Sequence, residues 1–431
     1  MIALIADDLT GASDAGVQFA RRGLATRVLF DLDDPAAARD AEALAVDTDS
    51  RALPAAAAYA RVRQVAEHLR TARPEHVYKK IDSTLRGNLG AEIDAVMDAL
   101  EFRLAVVAPA FPALGRTTRQ GVHYLRGTPV SQTEIGRDPK APVRESNLVC
   151  LLEDASRRAA ALVPLATIAE GPESIRRQVE QQAGRGASLL VCDAEDDADL
   201  RVIVDSLAER RDVLWVGSAG LAEHLTEPLG LPARAPRPAE LGRPAGPVLL
   251  VAGSVSETTR QQVAAVEARP GVAAVELDPL ALVGDASDCR AEVERCRQAL
   301  RAALADGRDC ALTVGARREQ VEGAAQRGAQ RGLRPGEVAA RIADALGTLA
   351  ADCARPSPLG GLILTGGDTA RAVCRHLGVT GVQLLAEVEP GVPLGRLLGQ
   401  RSPGLLAVTK AGAFGSEHTL VHALDQLKGD R

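Results

Sequence analysis

Two periods take turns along this chain, and that exchange limits its folding more than any other feature. Short aliphatic runs, "IALIA", "ATRVLF", "EALAVDT", "HVYKKID", "RLAVVAPA", "SLLVCDA" and "DVLWVGSAG", are separated by longer stretches, several of them of helical spacing, such as 54–72 and 90–100. Strands that alternate with helices in this way build a parallel sheet covered by helices on both faces. From 226 to 247 the pattern gives way to "TEPLGLPARAPRPAELGRPAGP", with a proline density that suits a semi-rigid spacer. A second series then begins with "PVLLVAGS" and runs through "AAVEL", "CALTVGA", "GLILTGGD" and "LLAVTKAGAFG". At 431 residues the chain exceeds what one core normally serves. The expectation is two α/β domains with largely parallel sheets, residues 1–225 and 248–431, joined by a linker over 226–247.

One segment does not fit. Residues 111–147, "FPALGRTTRQGVHYLRGTPVSQTEIGRDPKAPVRESN", are polar and rich in glycine and proline, and they read as a long loop that lines a site or an interface.

Composition removes several classes of partner. A formal net charge of −6 argues against a nucleic-acid or anionic-membrane surface, which needs a basic face. No apolar run approaches the length of a membrane span, so a cytoplasmic protein is expected. The seven cysteines form no C-x-x-C pair and read as reduced thiols. Of the 51 basic residues only Lys79, Lys80, Lys140, Lys410 and Lys428 are lysines. Where arginine serves nearly everywhere, a surviving lysine marks a place where a compact ammonium and a planar fork are not equivalent.

Chemistry gathers at the strand ends, where open parallel sheets bind ligands. "IALIA" runs straight into Asp7 and Asp8 before a helix begins. One carboxylate can cap that helix, which leaves the other as a general base or a magnesium ligand. "YKKIDSTLRGNLGAEI" brings together Lys80, Asp82, Ser83, Thr84 and Arg86. Arg86 as a fork, Lys80 as a point charge and the two hydroxyls can hold a carboxylate and its neighbouring hydroxyls, so an anionic polyhydroxylated small molecule is expected. In the second series, Ser254 and Ser256, then Gly366, Gly367, Asp368 and Thr369, then Lys410, Gly412 and Gly415, form three small-residue turns at strand ends. Glycine lets a backbone approach a ligand, and free N–H groups at a helix start favour phosphate, so these turns suggest a nucleotide cleft. The P-loop, Rossmann and nucleophile-elbow signatures are absent. His418 and His422 have the spacing of two metal ligands but lack an evident third.

Taken in order, "ADDLTGASD", "KKIDSTLRGNLGAE", "GGDTA", "EPGVPLG" and "TKAGAFG" resemble the four-carbon acid sugar kinase family over nearly the whole chain. The resemblance implies an acid-sugar-binding N-terminal domain, a nucleotide-binding C-terminal domain and an active site between them. It also implies ATP-dependent phosphorylation of the terminal hydroxyl of threonate, erythronate or a 3-oxo-tetronate. Carried over by position, Asp8, Lys80, Asp82, Ser83 and Arg86 fall on the sugar side, while Ser256, the Gly366 to Thr369 turn and Gly412 fall on the ATP side. Catalysis by such an enzyme is mostly positioning and electrostatics, with a base at the attacking hydroxyl and Mg²⁺ near the phosphates. Asp8 is preferred as base and Asp7 as a substrate contact, although the residues alone do not order the two. A branched or amino four-carbon acid as substrate, a non-catalytic acid-sugar sensor, and a lyase using Lys80 as Schiff base are the alternatives. Whether the chain forms a homodimer is open.

Overall fold

The computed structural model describes residues 1–30, 32, 38–138, 140–234, 246–254, 256–315, 317–354, 359–399, 404–412 and 414–429. The chain divides into two units, Met1–Arg237 and Pro238–Arg431. Of the proline-rich stretch 226–247, residues 235–245 lie outside the described residues. Residues 226–234 belong to the first unit, where Arg234 N donates to Arg22 O and the Arg234 guanidinium pairs with Glu42.

The first unit carries eleven strands among its described residues: β1 (Ile2–Ala6), β2 (Thr26–Leu29), β3 (Ala43–Asp47), β4 (His76–Lys80), β5 (Leu104–Ala108), β6 (Arg116–Arg119), β7 (Val122–Leu125), β8 (Thr128–Pro129), β9 (Ala160–Val163), β10 (Leu189–Cys192) and β11 (Val213–Gly217). Eight of them form a parallel sheet in the order β2-β3-β1-β4-β11-β5-β10-β9. β1, β3, β4, β5, β10 and β11 are buried along their whole length, as expected of strands covered on both faces. After β1 the chain moves outward to β2 and β3, then crosses to the other side of β1 for β4. The order therefore reverses between β1 and β4, and a crevice opens beyond their carboxyl ends. Register keeps those ends level, because Ala6 pairs with both Asp47 and Lys80.

Three helices frame that crevice. α1 (Leu9–Arg21) is buried from Leu9 through Ala20, and its glycines, alanines and serine let it lie close on the sheet. α2 (Ala55–Ala72) buries only Ala58, Val62, Ala66 and Leu69, one stripe at helical spacing with polar residues opposite. α3 (Leu89–Leu100) follows the turn after β4.

The 111–147 segment is not the expected loop. β6, β7 and β8 form a small antiparallel sheet whose two turns are Gln120-Gly121 and Arg126-Gly127, all four residues with positive φ. That is the signature of two-residue hairpins whose turn twist matches the twist of the strands. Asp193 accepts hydrogen bonds from Gln120 N and Gly121 N and fixes the first turn to the end of β10.

The second unit repeats the wiring. β12 (Val248–Ala252), β13 (Val272–Leu277), β14 (Asp309–Val314), β15 (Gly361–Thr365), β16 (Val379–Glu389), β17 (Val392–Gly399) and β18 (Leu406–Lys410) are ordered β13-β14-β12-β15-β18-β17-β16. The first five positions are parallel, and β16 and β17 add an antiparallel hairpin that the sequence reading does not contain. β16 is only part-buried, β17 is buried through its first four residues, and the pair carries register shifts, so neither shows a clean alternation. Here the order reverses between β12 and β15. The core beneath is aliphatic and includes Leu250, Ile363, Val408, Leu420 and Leu424.

Candidate active site

In the first unit the crevice is organised around an arginine that the sequence reading passes over. Arg51, in the loop after β3, donates from Nε to Asp7 Oδ2 (2.6 Å), from Nη2 to Asp7 Oδ1 (2.9 Å) and to Asp8 Oδ1 (2.7 Å), and lies 3.8 Å from Asp82 Oδ1. Three carboxylates from two strand ends thus converge on one guanidinium, whose planar fork suits several oxygens at once. Burial pushes the Asp7 carboxyl up, but Arg51, aided by Lys79 and Lys80, outweighs it and holds Asp7 below the usual range. Burial opposes ionisation of Asp82 as well, and Arg86 and Arg51 together hold it well below that range.

The two aspartates at the start of the chain divide the work. Asp8 caps α1, accepting from Gly11 N (3.0 Å) and Thr10 Oγ1 (2.6 Å). Asp7 caps nothing; its side chain is 3% exposed and given over to Arg51, whereas that of Asp8 is 17% exposed. The reading that one of the pair is a helix cap is met by Asp8, and Asp8 is also the more accessible carboxylate. Lys80 is buried, with Nζ donating to Ile81 O (3.0 Å), and both Nζ and Asp8 Oδ1 pack beside Gly11.

Beyond β4, Asp82 gathers Thr84 Oγ1 (2.5 Å), Arg86 Nε (2.8 Å) and Arg86 Nη2 (3.1 Å). Arg86 also faces Asp138 Oδ2 at 3.4 Å. Ser83 is buried, and its carbonyl accepts from His123 Nε2 (2.9 Å), which fixes the neutral tautomer: Nδ1 accepts from Thr118 Oγ1 (2.9 Å). Burial pushes His123 down to about 4. The hairpin that brings His123 here also carries Arg116, which is buried with Nη1 on Leu114 O, and Arg119, which turns away to Glu195 and the Tyr124 ring.

Behind these residues lies a polar layer with no sequence signature. Lys79 Nζ pairs with Glu92 Oε2 (2.8 Å), both fully buried, and Ser50 Oγ donates to Glu92 Oε1 (2.7 Å). Asn88 Nδ2 donates to Ser50 O and Leu53 O. These contacts pin the loop that delivers Arg51.

In the second unit the three small-residue turns do come together, since β12, β15 and β18 are neighbours in the sheet. Ala252 pairs with Thr365, and Thr365 with Lys410, so the turns leave from one level. Ser256 caps the helix Glu257–Glu267, its Oγ accepting from Thr259 N and donating to Gly412 O (2.9 Å), while Ser254 Oγ donates to Ser256 Oγ (3.2 Å). Gly366 has φ 97°, open to glycine, and directly precedes the helix Gly367–Leu377 with Asp368 in its first turn. Thr369 is buried against Gly253. A side chain on Gly412 would meet Ser254 Oγ at 2.4 Å and Ser254 Cβ at 3.2 Å, so glycine lets the two turns close tightly. Thr365 Oγ1, on the last residue of β15, is buried and makes no hydrogen bond. Amide-lined turns at the start of a helix, with such an unused hydroxyl, fit a nucleotide phosphate. Lys410 is fully buried and is pushed by burial down to about 7. Glu389, at the β16–β17 turn, accepts from Ser416 N, Ser416 Oγ, Thr419 Oγ1 and His422 Nδ1. His422 is thus engaged by Glu389, and among the described residues no group of three or more His, Cys, Asp or Glu is placed to hold a metal. Among the described residues no helix is long and apolar enough to cross a membrane.

Residues 2–225 match the family model described as a sugar-binding N-terminal domain, and residues 249–420 the one described as a nucleotide-binding C-terminal domain. The chain is 35% identical to the D-threonate kinase of Salmonella typhimurium, over 98% of this chain and 97% of that one. It is 39% identical to the D-threonate kinase of Bordetella bronchiseptica, over 100% and 98%. It is 34% identical to the D-erythronate kinase of Heliobacterium modesticaldum, over 99% and 97%.

Proposed function

The chain belongs to the four-carbon acid sugar kinase family, and from that premise we propose that it transfers the terminal phosphoryl group of ATP to the 4-hydroxyl of a four-carbon acid sugar, with D-threonate the first substrate to try, ahead of erythronate and a 3-oxo-tetronate. The observation that carries this reading is the pair of switch-point sites: a balanced cluster of carboxylates and cations in the sugar-binding unit, and a glycine- and hydroxyl-lined cradle in the nucleotide-binding unit.

Asp8 is the base in this reading. It is the more open of the two aspartates, and Arg51, Gly11 N and Thr10 fix its direction, so it can orient the attacking hydroxyl and take its proton. Asp7 keeps Arg51 in place. Lys80 and Arg86 supply the positive charge that selects an acid, and Asp82, Ser83 and Thr84 set the turn against which its hydroxyls rest. The turns at Ser254 and Ser256, at Gly366 to Thr369 and at Gly412 receive the phosphates through backbone N–H groups and hydroxyls. A magnesium ion bound with the nucleotide would neutralise charge on the phosphates. Such an ion takes most of its ligands from phosphate and water and needs only one or two carboxylates, which suits a unit whose offering at the turn is Asp368. A Schiff-base role for Lys80 would leave the second unit's cradle unused.

The test is ADP release by the purified chain with ATP and a panel of D-threonate, D-erythronate, 3-oxo-tetronate and the matching tetritols, with ³¹P NMR on the product. The expected result is acid-dependent turnover giving a 4-phosphoester. Asp8→Asn should lower kcat by about 10²–10⁴-fold and leave ATP affinity in place. Turnover independent of the acid would defeat the reading, and full activity of Asp8→Asn would remove the base from this position.

A further inference from the structure

We infer that Lys410 is a positioning residue that shapes the turn after β18 for the nucleotide and does not itself bind phosphate, an inference that rests on the nucleotide reading of this unit. Lys410 ends β18, is fully buried, and donates from Nζ to Ala411 O (2.8 Å), Gly412 O (3.0 Å) and Phe414 O (3.1 Å). An ammonium has three N–H donors and no more, so the set is complete without a ligand. With the Ala411 and Phe414 carbonyl groups folded inward onto one nitrogen, the Gly412 and Gly415 N–H groups, on the opposite side of the same trans peptide planes, point away from the lysine. The turn thereby presents oriented amides on its outside, the form in which backbone binds anions.

The same turn is tied to its neighbour from the other side. Gly412 O accepts from Ser256 Oγ and Thr259 Oγ1, both at 2.9 Å, and Gln262 Nε2 donates to Phe414 O (3.0 Å) and Ser416 O (2.6 Å). Lys410 is therefore the inner pin of a small lattice that joins the first and third turns of the cradle. A guanidinium spreads its donors across a plane and cannot gather three carbonyls around one point. This gives a physical reason for a lysine at this position in a chain that otherwise uses arginine almost throughout.

The experiment reads the turn with and without nucleotide in the full chain. Hydrogen exchange of the peptide spanning 411–418 is measured in the nucleotide-free wild type, Lys410→Met and Lys410→Gln, and affinities for ATP, ADP and AMP are measured alongside. One charged hydrogen bond is worth about tenfold in an equilibrium. Lys410→Met should therefore speed exchange in 411–418 by about tenfold or more without any nucleotide, with Lys410→Gln between it and wild type. ATP, ADP and AMP should weaken by a common factor. Unchanged exchange, or a loss of affinity that grows with the number of phosphates, would make Lys410 a phosphate ligand and overturn the inference. A wild type that binds no nucleotide would instead defeat the reading of the unit, while the exchange arm still decides what Lys410 holds. In unsubstituted chain labelled with ¹⁵N-lysine, the Lys410 ammonium signal should keep its shift on addition of ADP, and a large shift would count against the inference without any variant.

Discussion

His123 gives the sugar-binding unit a measurable dependence on pH. The imidazole is fully buried and neutral, holding Thr118 and the Ser83 carbonyl, and burial lowers it from 6.5 to about 4. A histidine exposed by unfolding titrates near 6.5, so as pH falls from 7 the unfolded chain takes up a proton that the folded chain refuses. The stabilising contribution is whole above 6.5, is lost as pH falls through the window from 6.5 to 4, and does not fall further below about 4. The gap of the two values sets a ceiling of about 3 kcal/mol, of which about 2 kcal/mol is lost between pH 7 and pH 5. The assay is urea unfolding followed by the fluorescence of Trp215, the chain's one tryptophan, buried in β11 of the same unit. Wild type should lose about 2 kcal/mol more than His123→Gln between the two pH values. His76 is also lowered by burial, but it is present in both proteins and cancels from the comparison. Equal losses would mean that His123 is protonated in the folded unit or reached by water, and that the hairpin is not seated on Ser83 as described.

Further tests address the charges and the turns. Arg51→Met removes the shared cation of Asp7 and Asp8 and should destabilise the first unit by about 3–5 kcal/mol at pH 7, with a smaller loss at pH 5, where carboxylates deprived of their cation take up protons; Trp215 fluorescence reads this too. Gly412→Val would drive a branched side chain onto Ser254 and should abolish ATP binding in calorimetry while the Trp215 transition stays in place. Arg86→Lys should lower kcat/KM for a tetronate relative to its tetritol by about tenfold or more, because an ammonium cannot serve Asp82 and a substrate carboxylate together; selectivity untouched by this substitution would place the carboxylate elsewhere.

The strand ends are legible because each combines two local signals, an aliphatic run that stops and a capping or glycine residue that starts a helix. Asp8, Ser256 and Gly366 are all found that way. Arg51 has no such mark. It is one arginine in a chain crowded with them, and only the parallel pairing of β1 with β3 carries it across to Asp7. The Lys79–Glu92 pair is hidden for the same reason, with a sheet and a helix bringing its members together. The β6–β8 hairpins did have a signal, the dipeptides Gln120-Gly121 and Arg126-Gly127 on either side of "VHYL", obscured by the many other glycines and prolines of the segment. β16 is part-buried, β17 is buried on both faces over its first four residues, and the pair is bulged, so no period of two is there to announce them.

The strand order β2-β3-β1-β4 in one unit recurs as β13-β14-β12-β15 in the other. The same frame thus holds a crowd of charges in one half and nearly bare backbone in the other, which separates the task of standing up from the task of choosing a guest. Such a chain can drift from one acid to its stereoisomer by rewriting the few turns beyond β1, β3 and β4, without renegotiating its core or its nucleotide. Substrate preference is then the most easily inherited change open to it, and the wiring of the sheet the most conservative.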